Sequence, residues 1–75
     1  MPTDDLPQKT LREWREGKFL TQGELAAKVG VDPHSISEWE NGRKVPQFKN
    51  WRLLAEALGI QPKQILFAKD GSVAA

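Results

Sequence analysis

The sequence predicts an all-α fold, a compact five-helix bundle, and three observations carry that expectation. Apolar residues return at intervals of three and four in successive segments between residues 8 and 67, the spacing that lines one face of a helix. Start and stop signals separate these segments: Thr21 with Glu24 and Asp32 with Pro33 open helices, while Gly30, Asn41-Gly42 and Gly59 end them. No stretch alternates apolar and polar residues as a half-buried strand would.

Residues 1–7 carry two prolines and the pair Asp4-Asp5 before any periodicity begins, and read as a flexible arm; residues 68–75 read as a flexible tail. A first helix over residues 9–17 places Leu11 and Trp14 on one face and ends at Gly17. In the second, the Thr21 hydroxyl can accept from the backbone N–H of Glu24 while the Glu24 carboxylate reaches back, and Leu25, Ala26 and Val29 point inward until Gly30. The third, residues 32–41, opens on the N-cap Asp32 with Pro33 at the position where a missing N–H does no harm. Ile36 and Trp39 form its inner face and His34, Ser37 and Glu38 its outer face. After Pro46, Phe48, Trp51, Leu54, Ala55 and Leu58 repeat at helical spacing up to Gly59, and a short fifth helix over residues 62–67 supplies Ile65 and Leu66.

Gly30 and Val31 alone join the second helix to the third, too little chain for an antiparallel return. The two must cross steeply and leave the third helix exposed, which is helix-turn-helix geometry. A helix of about nine residues is about 13 Å long, a match for a DNA major groove about 12 Å wide.

Composition narrows the function classes. The 75 residues suit one domain, and 39% hydrophobic with 28% charged residues allow a core with a solvated outside. With no cysteine, neither a disulfide nor a Cys-based zinc site can hold the fold. No apolar run reaches membrane-spanning length and no secretion signal opens the chain, so a cytoplasmic location is expected, with no membrane partner. One histidine without a cysteine, no phosphate-binding loop and no paired metal-ligand spacing argue against an enzyme, a metal, a cofactor or a small-molecule substrate. Eleven basic against ten acidic residues give a net charge of +1, too small for bulk attraction to nucleic acid. Placement matters instead: Arg43, Lys44, Lys49 and Arg52 follow one another with no acid between them.

The segments Leu11-Arg-Glu-Trp-Arg15, Leu20-Thr-Gln-Gly-Glu-Leu-Ala-Ala-Lys-Val-Gly30, Ile36-Ser-Glu-Trp-Glu-Asn-Gly42 and Leu54-Ala-Glu-Ala-Leu-Gly-Ile60 together resemble the Cro and phage-repressor type (XRE-like) helix-turn-helix family, over about residues 8–67. The resemblance implies a lambda-repressor-like DNA-binding domain that regulates transcription, as a repressor, by binding operator DNA. Phosphate contacts would fall on Thr21, Gln22, Ser35, Asn41, Arg43 and Lys44, and a structural ion pair on Arg15 and Glu40. Base-reading positions match Pro33, His34, Ser37 and Glu38, where the family more often has Gln, Arg, Ser and Thr. Pro33 would offer apolar contact to a thymine methyl, His34 a donor or acceptor at a purine edge, and Glu38 an acceptor for cytosine N4. Phe19 stands where the family often has Gly, and is expected to cover the core edge while Gly17 provides the turn's freedom. The three tryptophans match core positions. A homodimer on an inverted repeat is expected, with half-sites about 34 Å apart, joined through the fourth and fifth helices or through the DNA itself. The competing reading is a protein-interaction module, or antitoxin-like partner protein, of the same fold with weak or lost DNA binding; Pro33, Glu38 and the near-neutral charge favour it.

Overall fold

The computed structural model describes residues 6–67. Among the described residues, four α-helices carry the fold: α1 (Leu11–Gly17), α2 (Gln22–Val29), α3 (Pro33–Glu40) and α4 (Phe48–Leu58). A single 3-10 turn, Pro62–Gln64, follows, and two short strands, β1 (Lys9–Thr10) and β2 (Ile65–Leu66), pair in parallel with Lys9 opposite Ile65 and Thr10 opposite Leu66. The core draws on all of these elements except β1 and the 3-10 turn: Leu11, Leu25, Ile36, Leu54, Leu58 and Ile65 are its fully buried large side chains.

The all-α expectation holds for the body of the domain, and the five-helix count is corrected to four. The segment expected as a fifth helix cannot propagate, because its first carbonyls are taken. The Trp51 indole N–H donates to Pro62 O at 2.7 Å and the Trp14 indole N–H to Gln64 O at 2.8 Å. Ile65, β-branched, then turns extended and hands its backbone to β1.

The start of α1 also moves, from Lys9 to Leu11, because Thr10 is its N-cap. The Thr10 hydroxyl accepts from Glu13 N–H at 3.2 Å and the Glu13 carboxylate accepts from Thr10 N–H at 3.0 Å, the same reciprocal cap that Thr21 and Glu24 build on α2. At the other end of α1, Phe19 N–H donates to Glu16 O and Leu20 N–H to Arg15 O, the paired bonds that close a helix around a left-handed residue. That residue is Phe19, at φ +60. The expectation that Phe19 covers the core edge is corrected: it is 93% exposed, and it, rather than Gly17, makes the turn.

Gly30 at φ +84 ends α2, and three residues later α3 is running, capped by the Asp32 carboxylate on His34 N–H at 2.9 Å. Of the expected arm, residues 1–5 lie outside the described residues, as does the whole tail 68–75. The arm's last residues are held at Pro7, whose carbonyl accepts from the buried Gln64 side chain at 3.0 Å.

Candidate nucleic-acid interface

Three helices meet at one buried carboxylate. Arg15 of α1 sends Nε and Nη2 to the two oxygens of Glu40 on α3, the second at 3.2 Å, and Nη1 to the Leu20 carbonyl at 2.7 Å. Gln22, the first residue of α2, donates Nε2 to Glu40 Oε1 at 3.0 Å. The Glu40 side chain is 3% exposed, so its charge depends on these donors. The hydrogen bond to Glu40 is the main cause that holds the Arg15 guanidinium above its ordinary range; burial opposes it and the charges of Glu40 and Glu16 add to it. A carboxylate clamped by a fork and an amide fixes the entry of α2 relative to the end of α3.

Beyond Glu40, the outward face of α3 and the following loop are wired together. The Glu38 carboxylate forms an ion pair with Lys44 Nζ at 3.4 Å and lies 3.4 Å from His34 Nε2, one helical turn back. The Glu38 carbonyl accepts from Arg43 N–H at 3.0 Å and from Lys44 N–H at 3.4 Å. Asn41 donates its amide to Ser37 Oγ at 3.3 Å. Pro33, His34, Asn41, Arg43 and Lys44 are exposed, while Ser35, Ser37 and Glu38 are half-buried. Ser35 sits in the first turn, its N–H on Asp32 O at 2.9 Å. Thr21 is exposed and its oxygen accepts from Glu24 N–H, which leaves its hydroxyl hydrogen free to donate.

Two sets of contacts therefore lie on α3: Gln22 and Arg15 on Glu40, and, beyond it, Asn41 on Ser37 with His34, Arg43 and Lys44 gathered at Glu38. The helix-turn-helix family model matches residues 11–65, which spans every one of these positions. The chain belongs to this helix-turn-helix family, of the XRE-like type. Among relatives, the chain is 38% identical over 81% of its length to multiprotein-bridging factor 1 of Candida albicans, of which the match covers 44%. It is 32% identical over 71% of its length to human endothelial differentiation-related factor 1, covering 36% of that protein. It is 28% identical over 80% of its length to the HTH-type transcriptional activator BcrR of Enterococcus faecalis, covering 29% of it. The chain thus spans less than half the length of these curated relatives. No solved structure matches it.

Within this helix-turn-helix frame, the structure brings the outward positions of α3 and the loop positions together and reveals two links that residue types alone do not show. Gln22 is engaged with Glu40, yet its amide has a second N–H that this bond leaves for an outside acceptor. Glu38 is held between a histidine and a lysine rather than standing alone. Its i, i+4 spacing to His34 was the one signal of this in the sequence. Lys44 comes back over α3, so its ammonium lies beside the outward helix face.

Proposed function

We propose that the chain is a non-enzymatic, DNA-binding transcriptional regulator that lays α3 in the major groove of an operator. The observation that carries this reading is the exposed α3 surface: Pro33 and His34 stand in solvent, and the loop at Arg43 and Lys44 folds back so that the Lys44 ammonium lies beside Glu38 on the outward face. Pro33, His34, Ser37 and Glu38 face base edges, and Thr21, Gln22, Ser35, Asn41, Arg43 and Lys44 meet sugar and phosphate. The free N–H groups at the start of α2 add a positive dipole end beside Gln22. Arg15 and Glu40 hold the frame.

Two copies occupy an inverted repeat, their α3 helices separated by about one DNA turn, or about 34 Å, because a domain this small contacts few bases by itself. The phage-type resemblance favours repression, whereas the Enterococcus faecalis relative is by name an activator. The reading is therefore regulation through operator binding, with its direction decided by where the operator lies.

Selection of bound duplexes from a random library, followed by titration of the best duplex at two salt concentrations, tests it. An enriched palindromic motif, with affinity falling as salt rises, is the expected result. Enrichment of no motif together with salt-independent, negligible binding to random duplex would overturn it and leave the interaction-module reading.

A further inference from the structure

We propose that a second surface, the groove between the start of α4 and the 3-10 turn, docks a partner's acidic segment that carries one aromatic or aliphatic anchor. The groove is lined by Phe48, Trp51, Pro62 and Lys63, is open to solvent with a volume of about 240 Å³, and is almost wholly apolar. Phe48 is 70% exposed at the first position of a helix whose inward residues Leu54, Ala55 and Leu58 are buried. An open ring beside a half-buried indole in a concavity has the form of an anchor pocket rather than of a scattered surface apolar residue.

The rim of this groove is positive. Arg52 lies one turn from Phe48, its guanidinium 5.9 Å from the ring centroid. Lys49 precedes Arg52 by three residues along the same edge, and Lys63 closes the other side. All three cations are exposed. No acidic residue lies between Glu40 and Glu56 or between Glu56 and Phe67. Glu56 itself sits a turn beyond Arg52, in a separate shallow depression with Lys28, Leu53 and Ala57. The start of α4 adds to this sign, since it has neither a side-chain cap nor an acid in its first turn.

The chemistry selects among occupants. A second copy placed here by a two-fold axis would bring the same cations face to face, which like-charge repulsion disfavours. A duplex would set phosphates against an apolar floor whose indole N–H is committed to the Pro62 carbonyl at 2.7 Å. An acidic peptide satisfies both parts: its anchor fills the floor and its carboxylates meet Lys49, Arg52 and Lys63. This surface is independent of whether α3 reads DNA.

The test selects random short peptides displayed on phage against the full chain, with counter-selection against Phe48→Ser, and then maps the enriched peptide by amide shifts. Enriched peptides are expected to carry Asp or Glu around a single aromatic or Leu, and to move the signals of residues 48–53 and 61–64 and of the Trp51 indole. Phe48→Ser and Arg52→Glu each weaken peptide binding about tenfold or more, and Phe48→Ser leaves operator binding unchanged. Both side chains are exposed, and an unchanged thermal midpoint checks that the variants fold. No enrichment, enriched peptides without acids, or shifts confined to α3 and the Arg43 loop would overturn the proposal. So would movement of the groove signals on titration with duplex, or a dimer in sedimentation that Phe48→Ser dissolves.

Discussion

Phe19 combines two features that folding alone does not favour: a left-handed backbone and a ring left in water. A side chain with a Cβ in that conformation costs about 1 kcal/mol or more, and glycine there gives back part of the gain through its freer unfolded chain. Phe19→Gly is therefore expected to raise stability by about 0.5 kcal/mol, read as a higher urea midpoint at unchanged slope. A lower midpoint would mean that the ring supports the fold. The Arg15–Glu40 pair behaves oppositely, because each partner is the other's main compensation. Arg15→Met or Glu40→Leu alone should cost about 3 kcal/mol, while the double replacement should cost clearly less than the sum of the two, since no uncompensated charge is left buried. Equal additive losses would show that the pair is not coupled. The pH sign follows from the raised Arg15 value: its contribution is complete below the ordinary arginine range and disappears only as pH climbs through the raised value. Between neutral and mildly acid pH, Arg15 adds no slope to the stability curve.

At the scale of elements, α1 and α2 begin alike, and the caps should weigh alike. Thr10→Ala and Thr21→Ala are each expected to cost about 1 kcal/mol, with the amides of the first turn exchanging faster in each case. An unchanged unfolding midpoint in either variant would show that the crossed bonds do not hold that helix start. Only one of these caps was read from the residues, though Thr10-Leu-Arg-Glu13 repeats the spacing of Thr21-Gln-Gly-Glu24. The difference is context: Gly17 and Phe19 set Thr21 apart from the preceding helix, whereas Lys9 and Thr10 have no break before Leu11 and merged with the helix they precede. The cores of α2, α3 and α4 were legible because their inward residues keep helical spacing and their ends carry Gly30, Asp32 and Gly59. The segment after Pro62 was not, because what extends it is remote: indoles 50 and 11 residues away capture its carbonyls. Trp14→Phe tests that account. Loss of the bond to Gln64 should cost about 1 kcal/mol and speed exchange in β1 and β2, with α2 and α3 unaffected.

For the whole molecule, a net charge of +1 means that affinity for a polyanion depends on how charges are arranged. The residue types at the candidate interface were legible from spacing, which places His34, Ser37 and Glu38 on one face of α3. Their wiring was not, since no local pattern shows that Lys44 folds back to Glu38 or that Gln22 shares the carboxylate of Glu40. This wiring gives Glu38 two opposing roles. Its carboxylate repels phosphates and holds Lys44 at 3.4 Å, but it is also the one carboxylate on the outward face that could accept from cytosine N4. Glu38→Gln removes the repulsion and releases the Lys44 ammonium to the backbone. Non-specific affinity should then rise about threefold to tenfold, and the log–log salt slope should steepen by about one. At the operator, preference at a single base pair should relax while the rest of the motif is kept, because an amide accepts and donates where a carboxylate only accepts. Gln22→Ala or Arg43→Ala should instead weaken binding to every sequence alike, Arg43→Ala with a shallower slope. If Glu38→Gln changes neither slope nor preference, the carboxylate does not face the nucleic acid, and α3 does not enter the groove by this surface.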